Sequence, residues 1–174
     1  PLSLCIHSGV KRIVLLTQFS SASLHRHIQN SYKFDHFSKG FVEILAAEQT
    51  MDSGDWYQGT ADAVRKQLLH IRDLHAEHYL ILSGDHLYSM DYRRLMQTHL
   101  DSNADITVAT LPVSREDARG FGIMQVFKNG RIREFVEKPS SDAQLDRMIT
   151  PPHVFSQFGI DTDKQHLASM GIYM

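Results

Sequence analysis

Short apolar runs alternate with segments of helical period along this chain, the pattern of an α/β domain. Val10-Lys-Arg-Ile-Val-Leu-Leu-Thr17 predicts a buried strand, followed by a helix over 20–29. Phe41-Val-Glu-Ile-Leu-Ala46 predicts a second strand. Across 61–75 the apolar residues Ala61, Val64, Leu68 and Ile71 recur at helical steps, making one face. Thr60 is placed to cap that helix, and Asp62 sits well in its first turn. Tyr79-Leu-Ile-Leu82 predicts a short buried strand that runs into Ser83-Gly84-Asp85. The next helix carries Tyr92, Leu95, Met96, His99 and Leu100 on one face, with Asp91 as its cap. Ile106 to Leu111 predicts another strand, closed by Pro112. Gly122–Phe127 and Arg131–Val136 flank Lys128-Asn129-Gly130, and Asn-Gly is the strongest short hairpin signal. Residues 139–164 are polar and aperiodic, with room for at most one short helix, and Leu167 to Met174 predicts a last strand. The sum is a Rossmann-like layered α/β domain with a mixed, mostly parallel sheet and one hairpin insertion.

Composition narrows the class. The chain has 174 residues, 42% hydrophobic and 22% charged, enough for one domain with a real core. Its 18 basic and 20 acidic residues give a net charge of −2, which argues against nucleic acid as a partner. The apolar runs are strand-sized and far short of the roughly 18 residues of a membrane helix, so no membrane partner is expected. A single cysteine, Cys5, can form no internal disulfide, and nothing points to secretion.

Three places carry candidate chemistry. A buried strand ending in Gly84-Asp85 puts a carboxylate at the carboxyl edge of a parallel sheet, where α/β folds keep their ligand crevices. A carboxylate there suits Mg²⁺, which takes one or two protein carboxylates together with phosphate oxygens and water. A turn or helix-cap role accounts for Asp85 equally well. Trp56-Tyr57-Gln58-Gly59-Thr60 leads into a helix, so Gly59 admits close approach of a ligand to free amides, and the two aromatic rings could stack on a base. Simple packing of the same rings onto the sheet is the commoner outcome. Glu137 and Lys138 alternate across a strand unless it ends there, which Pro139 favours. A lysine at a strand end suits a point-charge clamp on phosphate, and a solvated charge pair is its bland counterpart. The 11 histidines include His25-x-His27 and His75-x-x-His78, with no cysteine pair or zinc-protease pattern to support a metal site. No Gly-x-Ser-x-Gly nucleophile motif occurs.

Taken together and in order, four segments make the chain recognisable. Trp56-Tyr-Gln-Gly-Thr-Ala-Asp-Ala-Val64, Ser83-Gly-Asp-His-Leu-Tyr88 with Asp91-Tyr92, Phe135-Val-Glu-Lys-Pro139 and Ala168-Ser-Met-Gly-Ile-Tyr173 resemble the ADP-glucose pyrophosphorylases. These are the glucose-1-phosphate adenylyltransferases of bacterial glycogen and plant starch synthesis. Val10 to His27 also looks like that family, so the resemblance covers nearly the whole chain. It implies a GT-A-like nucleotidyltransferase fold and Mg²⁺-dependent transfer of AMP from ATP to glucose 1-phosphate. By position, Asp85 would hold the metal and Lys138 the sugar phosphate. Glu137, Ser169 and the Gly122 backbone would complete the glucose pocket. Tyr57, Gly59 and Thr60 would line the adenine side, and Gly84 would admit the ribose.

The family's opening Gly-Gly-x-Gly-x-Arg loop is not found in these 174 residues, nor is its C-terminal β-helix domain. The resemblance therefore implies a partial catalytic domain over 1–174, an internal piece with little turnover by itself. It also implies a homo- or heterotetramer for the whole enzyme, in a bacterial cytoplasm first, with a plastid as the alternative for a plant source. Three rival readings remain at this level: a non-catalytic regulatory subunit of the same enzyme, a sugar nucleotidyltransferase using another nucleotide, and a nucleotide-binding module without catalysis. Retention of Asp85, Glu137 and Lys138 speaks against the regulatory one.

Overall fold

The computed structural model describes residues 1–18, 21–35, 37–47 and 57–174, and Trp56 lies outside them. The chain forms two compact units, one of Pro1–Tyr79 with Ser83–Ser102 and one of Leu80–Leu82 with Asn103–Met174.

The first unit contains α1 (Leu2–His7), β1 (Arg12–Thr17), α2 (Ala22–Ser31), β2 (Phe41–Ala46), α3 (Thr60–Lys66), α4 (Leu68–Asp73) and α5 (Tyr92–Ser102). β1 and β2 pair in parallel, in register from Arg12 opposite Phe41 to Thr17 opposite Ala46. The apolar runs at 12–17 and 41–46 thus form the parallel ladder their composition predicts. α1 was not predicted; it buries Cys5, and burial pushes that thiol up. The helix expected over 61–75 is two helices. Its backbone leaves helical values at Gln67, whose buried side-chain amide donates to the Ala46 carbonyl at 3.3 Å and to the Tyr57 hydroxyl at 2.9 Å. A buried amide needs such partners, and they lie off the helix. Thr60 does not cap: Gly59 holds that position, at φ +134, a value open to glycine. On α5 the predicted face buries Tyr92, Leu95 and His99, and Leu100 is exposed. Asp91 holds the start of that helix, accepting from the Arg93 backbone N–H at 3.0 Å and from its guanidinium. The guanidinium, then the amide, pulls the Asp91 carboxyl down to about 2.

The second unit contains β3 (Ile81–Leu82), β4 (Val108–Val113), a 3-10 turn (Asp117–Gly120), β5 (Gly122–Val126), β6 (Ile132–Glu137), α6 (Asp142–Arg147), α7 (Pro152–Gln157) and β7 (His166–Tyr173). Its five-stranded sheet is antiparallel at every described pairing. The sheet content is mixed as expected, but the parallel part is limited to β1 and β2 among the described residues. β7 is the centre, with β4 along one edge and β5 then β3 along the other. Pro112 does not close β4; the strand runs through it to Val113. β4 has β7 as its one partner among the described residues, and an edge strand accommodates proline with its nitrogen outward.

One face of this sheet is packed by Val113, Ala118, Ile123, Leu145, Met148 and Ala168, with Val136 against them. Residues 139–164 hold two short helices where at most one was expected. α6 begins with a capping box: Ser141 Oγ accepts from the Gln144 amide at 3.3 Å, and the Gln144 side chain returns to the Ser141 N–H. α7 begins at Pro152, a first-turn proline with no N–H to lose. Ser141→Ala should lower stability by about 1 kcal/mol, the usual value of such a cap. Denaturant unfolding checks this, and an unchanged midpoint would mean the box contributes nothing.

Candidate active site

The candidate sugar residues come together through sheet register. β5 and β6 pair Gly122 with Glu137 and Ile123 with Val136, and β5 and β7 pair Ile123 with Ala168. One more step along the β5–β7 register sets Gly122 opposite Ser169. Ile123, Val136 and Ala168 form the core-facing row, so Gly122, Glu137 and Ser169 make the adjacent row on the opposite face. Two strand spacings separate Glu137 from Ser169, roughly 10 Å across the sheet, with a glycine between them. A Cβ on Gly122 would lie 2.4 Å from Phe135 Cζ and 2.7 Å from Glu137 Oε2, so both side chains lean over the glycine.

Ser169 stands beside a bulge. β4 pairs Thr110 with Ser169 and Val108 with Tyr173, so β7 carries two extra residues there, including Gly171 at φ +66. The Ser169 hydroxyl accepts from the Gly171 N–H at 3.2 Å and lies 3.2 Å from the Tyr173 hydroxyl. Sequence reasoning missed Tyr173 as the partner of Ser169. A glycine inside a strand pattern was the available signal, since it marks a bulge.

β6 ends at Glu137, as Pro139 suggested, and Lys138 takes φ +45 while its N–H donates to the Phe121 carbonyl at 3.0 Å. A left-handed residue breaks the strand alternation, so Lys138 is not bound to the face opposite Glu137. Left-handed backbone is uncommon at a non-glycine residue, and Lys138 shares it with Lys39, His75 and Asn103. Glu137 and Lys138 are both exposed.

In the first unit, Asp85 lies three residues past Leu82, and its side chain is 81% exposed. Ser83 Oγ donates to Asp85 Oδ1 at 2.7 Å, and that bond, before any other cause, holds the carboxyl below its usual range. His86 Nε2 stands 3.4 Å from the same oxygen. Asp85 does not cap α5, a role Asp91 fills. Ser83 is a further residue that sequence reasoning passed over, although Ser-x-Asp is a side-chain turn pattern. A single exposed, ionised carboxylate with open space beside Gly84 fits the donor set of Mg²⁺, which completes its shell with water and phosphate oxygens. Tyr57 is half-buried and fixed through its hydroxyl to Gln67, with Lys66 Nζ 5.9 Å from its ring centre. Gly59 and Thr60 are exposed, and the space beside Gly59 is open.

Such groups can neutralise phosphate charge, hydrogen-bond sugar hydroxyls and admit a nucleotide to open backbone. They include no activated nucleophile.

Comparison with known proteins fits this picture. The profile of the nucleotidyl transferase family matches residues 1–174. The chain is 45% identical, over its full length, to the chloroplastic/amyloplastic glucose-1-phosphate adenylyltransferase small subunit of Triticum aestivum, and spans 37% of that relative's length. It superposes on the crystal structure of HddC from Yersinia pseudotuberculosis with a TM-score of 0.62 at 14% identity, over 99% of this chain and 59% of that one. That last likeness speaks to fold alone.

Proposed function

Because the chain belongs to the nucleotidyl transferase family, we propose that the protein carrying it transfers AMP from ATP to glucose 1-phosphate, releasing ADP-glucose and pyrophosphate. The 45% identity to the wheat adenylyltransferase supports the choice of substrates. The observation that supports the reading is the row of Glu137, Gly122 and Ser169, with hydrogen-bonding groups at both ends, a glycine between them and Lys138 at the strand end. The wheat relative's plastid address favours a plastid over a bacterial cytoplasm for this protein as well.

In this reading an oxygen of the sugar phosphate forms a bond to the α-phosphorus of ATP, and the bond from that phosphorus to the bridging oxygen breaks. Glu137 accepts hydrogen bonds from glucose hydroxyls, and Ser169 donates from the other end. Lys138 grips the sugar phosphate and offsets repulsion between the two phosphates. Tyr57, Gly59 and Thr60 hold the adenine side, and Gly84 admits the ribose. Asp85 would hold Mg²⁺, which when bound would supply charge neutralisation on the triphosphate. Positioning and electrostatics carry the rate, since no covalent step by the protein is needed.

The test is Mg²⁺-dependent pyrophosphate release from glucose 1-phosphate with ATP, UTP, GTP and dTTP, in a protein extended to the length of its relatives. Release with ATP above the others supports the reading. Preference for another nucleotide overturns it. No release in a folded protein that binds ADP-glucose favours a regulatory subunit. Lys138→Ala should raise the KM for glucose 1-phosphate by about tenfold and leave that for ATP near its parent value. An unchanged sugar KM would remove Lys138 from the phosphate clamp.

A further inference from the structure

Phe135 has no part in the reading so far, yet it occupies the same notch. It lies two residues before Glu137 on β6, hence on the same face of the sheet, one row down. Its Cζ and Cε2 atoms sit 2.4 and 2.9 Å from where a Gly122 Cβ would be, beside the Glu137 carboxylate oxygen at 2.7 Å. Phe135 as a whole residue is nevertheless 48% exposed. The glycine seats only the tip of the ring and leaves the rest of it open beside a carboxylate.

An open aromatic surface next to a hydrogen-bond acceptor is the chemistry that recognises a pyranose. The acceptor takes the equatorial hydroxyls, and the ring covers the apolar C–H surface between them. From this juxtaposition we propose that Phe135 is a specificity-determining residue, the aromatic wall of the hexose subsite whose polar end is Glu137. The inference rests on the reading that this row binds a sugar phosphate, and it adds what the row selects for: a six-membered sugar with an exposed apolar face. The close approach of the ring also accounts for Gly122, because any side chain there would displace the wall and the carboxylate together.

The experiment compares Phe135→Leu and Phe135→Tyr with the parent in the full-length protein. Leucine keeps an apolar side chain and removes the aromatic surface; tyrosine keeps both. Phe135→Leu should raise the KM for glucose 1-phosphate about tenfold with the KM for ATP within twofold of the parent, and Phe135→Tyr should stay within twofold for both. An unchanged sugar KM in Phe135→Leu, or an equal rise in both constants, overturns the proposal, the second because it marks a structural role. Saturation-transfer NMR on the parent, irradiating aromatic protons with glucose 1-phosphate as probe, reads the contact without turnover. Transfer to the sugar C–H protons that disappears in Phe135→Leu supports the wall, and no transfer from a bound sugar overturns it. If the parent releases no pyrophosphate, the adenylyltransferase reading fails by itself, and the NMR arm still decides the fate of Phe135.

Discussion

Asp85→Asn in the full-length protein should reduce pyrophosphate release by about a thousandfold or more while leaving thermal unfolding unchanged. The two halves of that expectation have separate grounds. The side chain is 81% exposed, and its contacts are the Ser83 hydroxyl and His86, so removing its charge opens no cavity and strands no buried group. The Asn oxygen can still accept from Ser83 Oγ, which keeps the turn. On the proposed reading, what disappears is the negative charge that would hold a divalent cation against the triphosphate, and losses of this kind of electrostatic stabilisation commonly cost several orders of magnitude in rate. Because Ser83 holds the carboxyl low, Asp85 stays ionised when an ordinary aspartate begins to protonate. Loss of activity in mild acid would then have to come from another group. Pyrophosphate release across a Mg²⁺ titration, beside a melting curve, measures both halves. Near-parent turnover at saturating metal would take Asp85 out of the metal site.

How far the sequence revealed this protein depends on the range of the interaction involved. β1 and β2 are legible because a parallel ladder favours apolar runs, and Ile13 to Leu16 supplies one without a break while Phe41 to Ala46 supplies one interrupted only at the exposed Glu43. The hairpin at Asn129-Gly130 is equally local: Gly130 takes φ +82, and Asn129 Oδ1 accepts from the Arg131 N–H at 3.1 Å. The orientation of β7 is not local. Its partners β3, β4 and β5 lie far away in the chain, and an apolar run carries no mark of whether its neighbour runs parallel or antiparallel. The break at Gln67 escaped for a like reason, since it depends on the Ala46 carbonyl and the Tyr57 hydroxyl. The α6 box was readable in Ser141 and Gln144 and was overlooked within a polar stretch. For the site, the residue types at Asp85 and Lys138 pointed to metal and phosphate chemistry, and the sugar role of Glu137 came only with the family resemblance. That Gly122, Glu137 and Ser169 form one row follows from register, which only the paired strands reveal.

Gly122→Ala should raise the KM for glucose 1-phosphate by about a hundredfold with little change in stability. A methyl group there would stand 2.4 Å from Phe135 Cζ and 2.7 Å from Glu137 Oε2, closer than any real Cβ contact, so both atoms must move. Each is the free end of an exposed side chain, and rotation towards solvent relieves the clash without disturbing the core on the other face. Nothing in the backbone conformation of Gly122 demands glycine, unlike Gly59 or Gly171 with their positive φ. The expense therefore falls on geometry. Glu137 and Phe135 turn away together, and a sugar bound as proposed would lose hydrogen bonds and apolar contact at one stroke. Misplacing groups that touch substrate by about an ångström is enough for a hundredfold loss. The KM for ATP should hold, as should the melting temperature to within a few degrees. Parallel kinetics on the two substrates with a melting curve decide the matter. A large fall in stability would mean that Gly122 is needed for packing, and an unchanged sugar KM would mean that the space above it is not where the hexose lies.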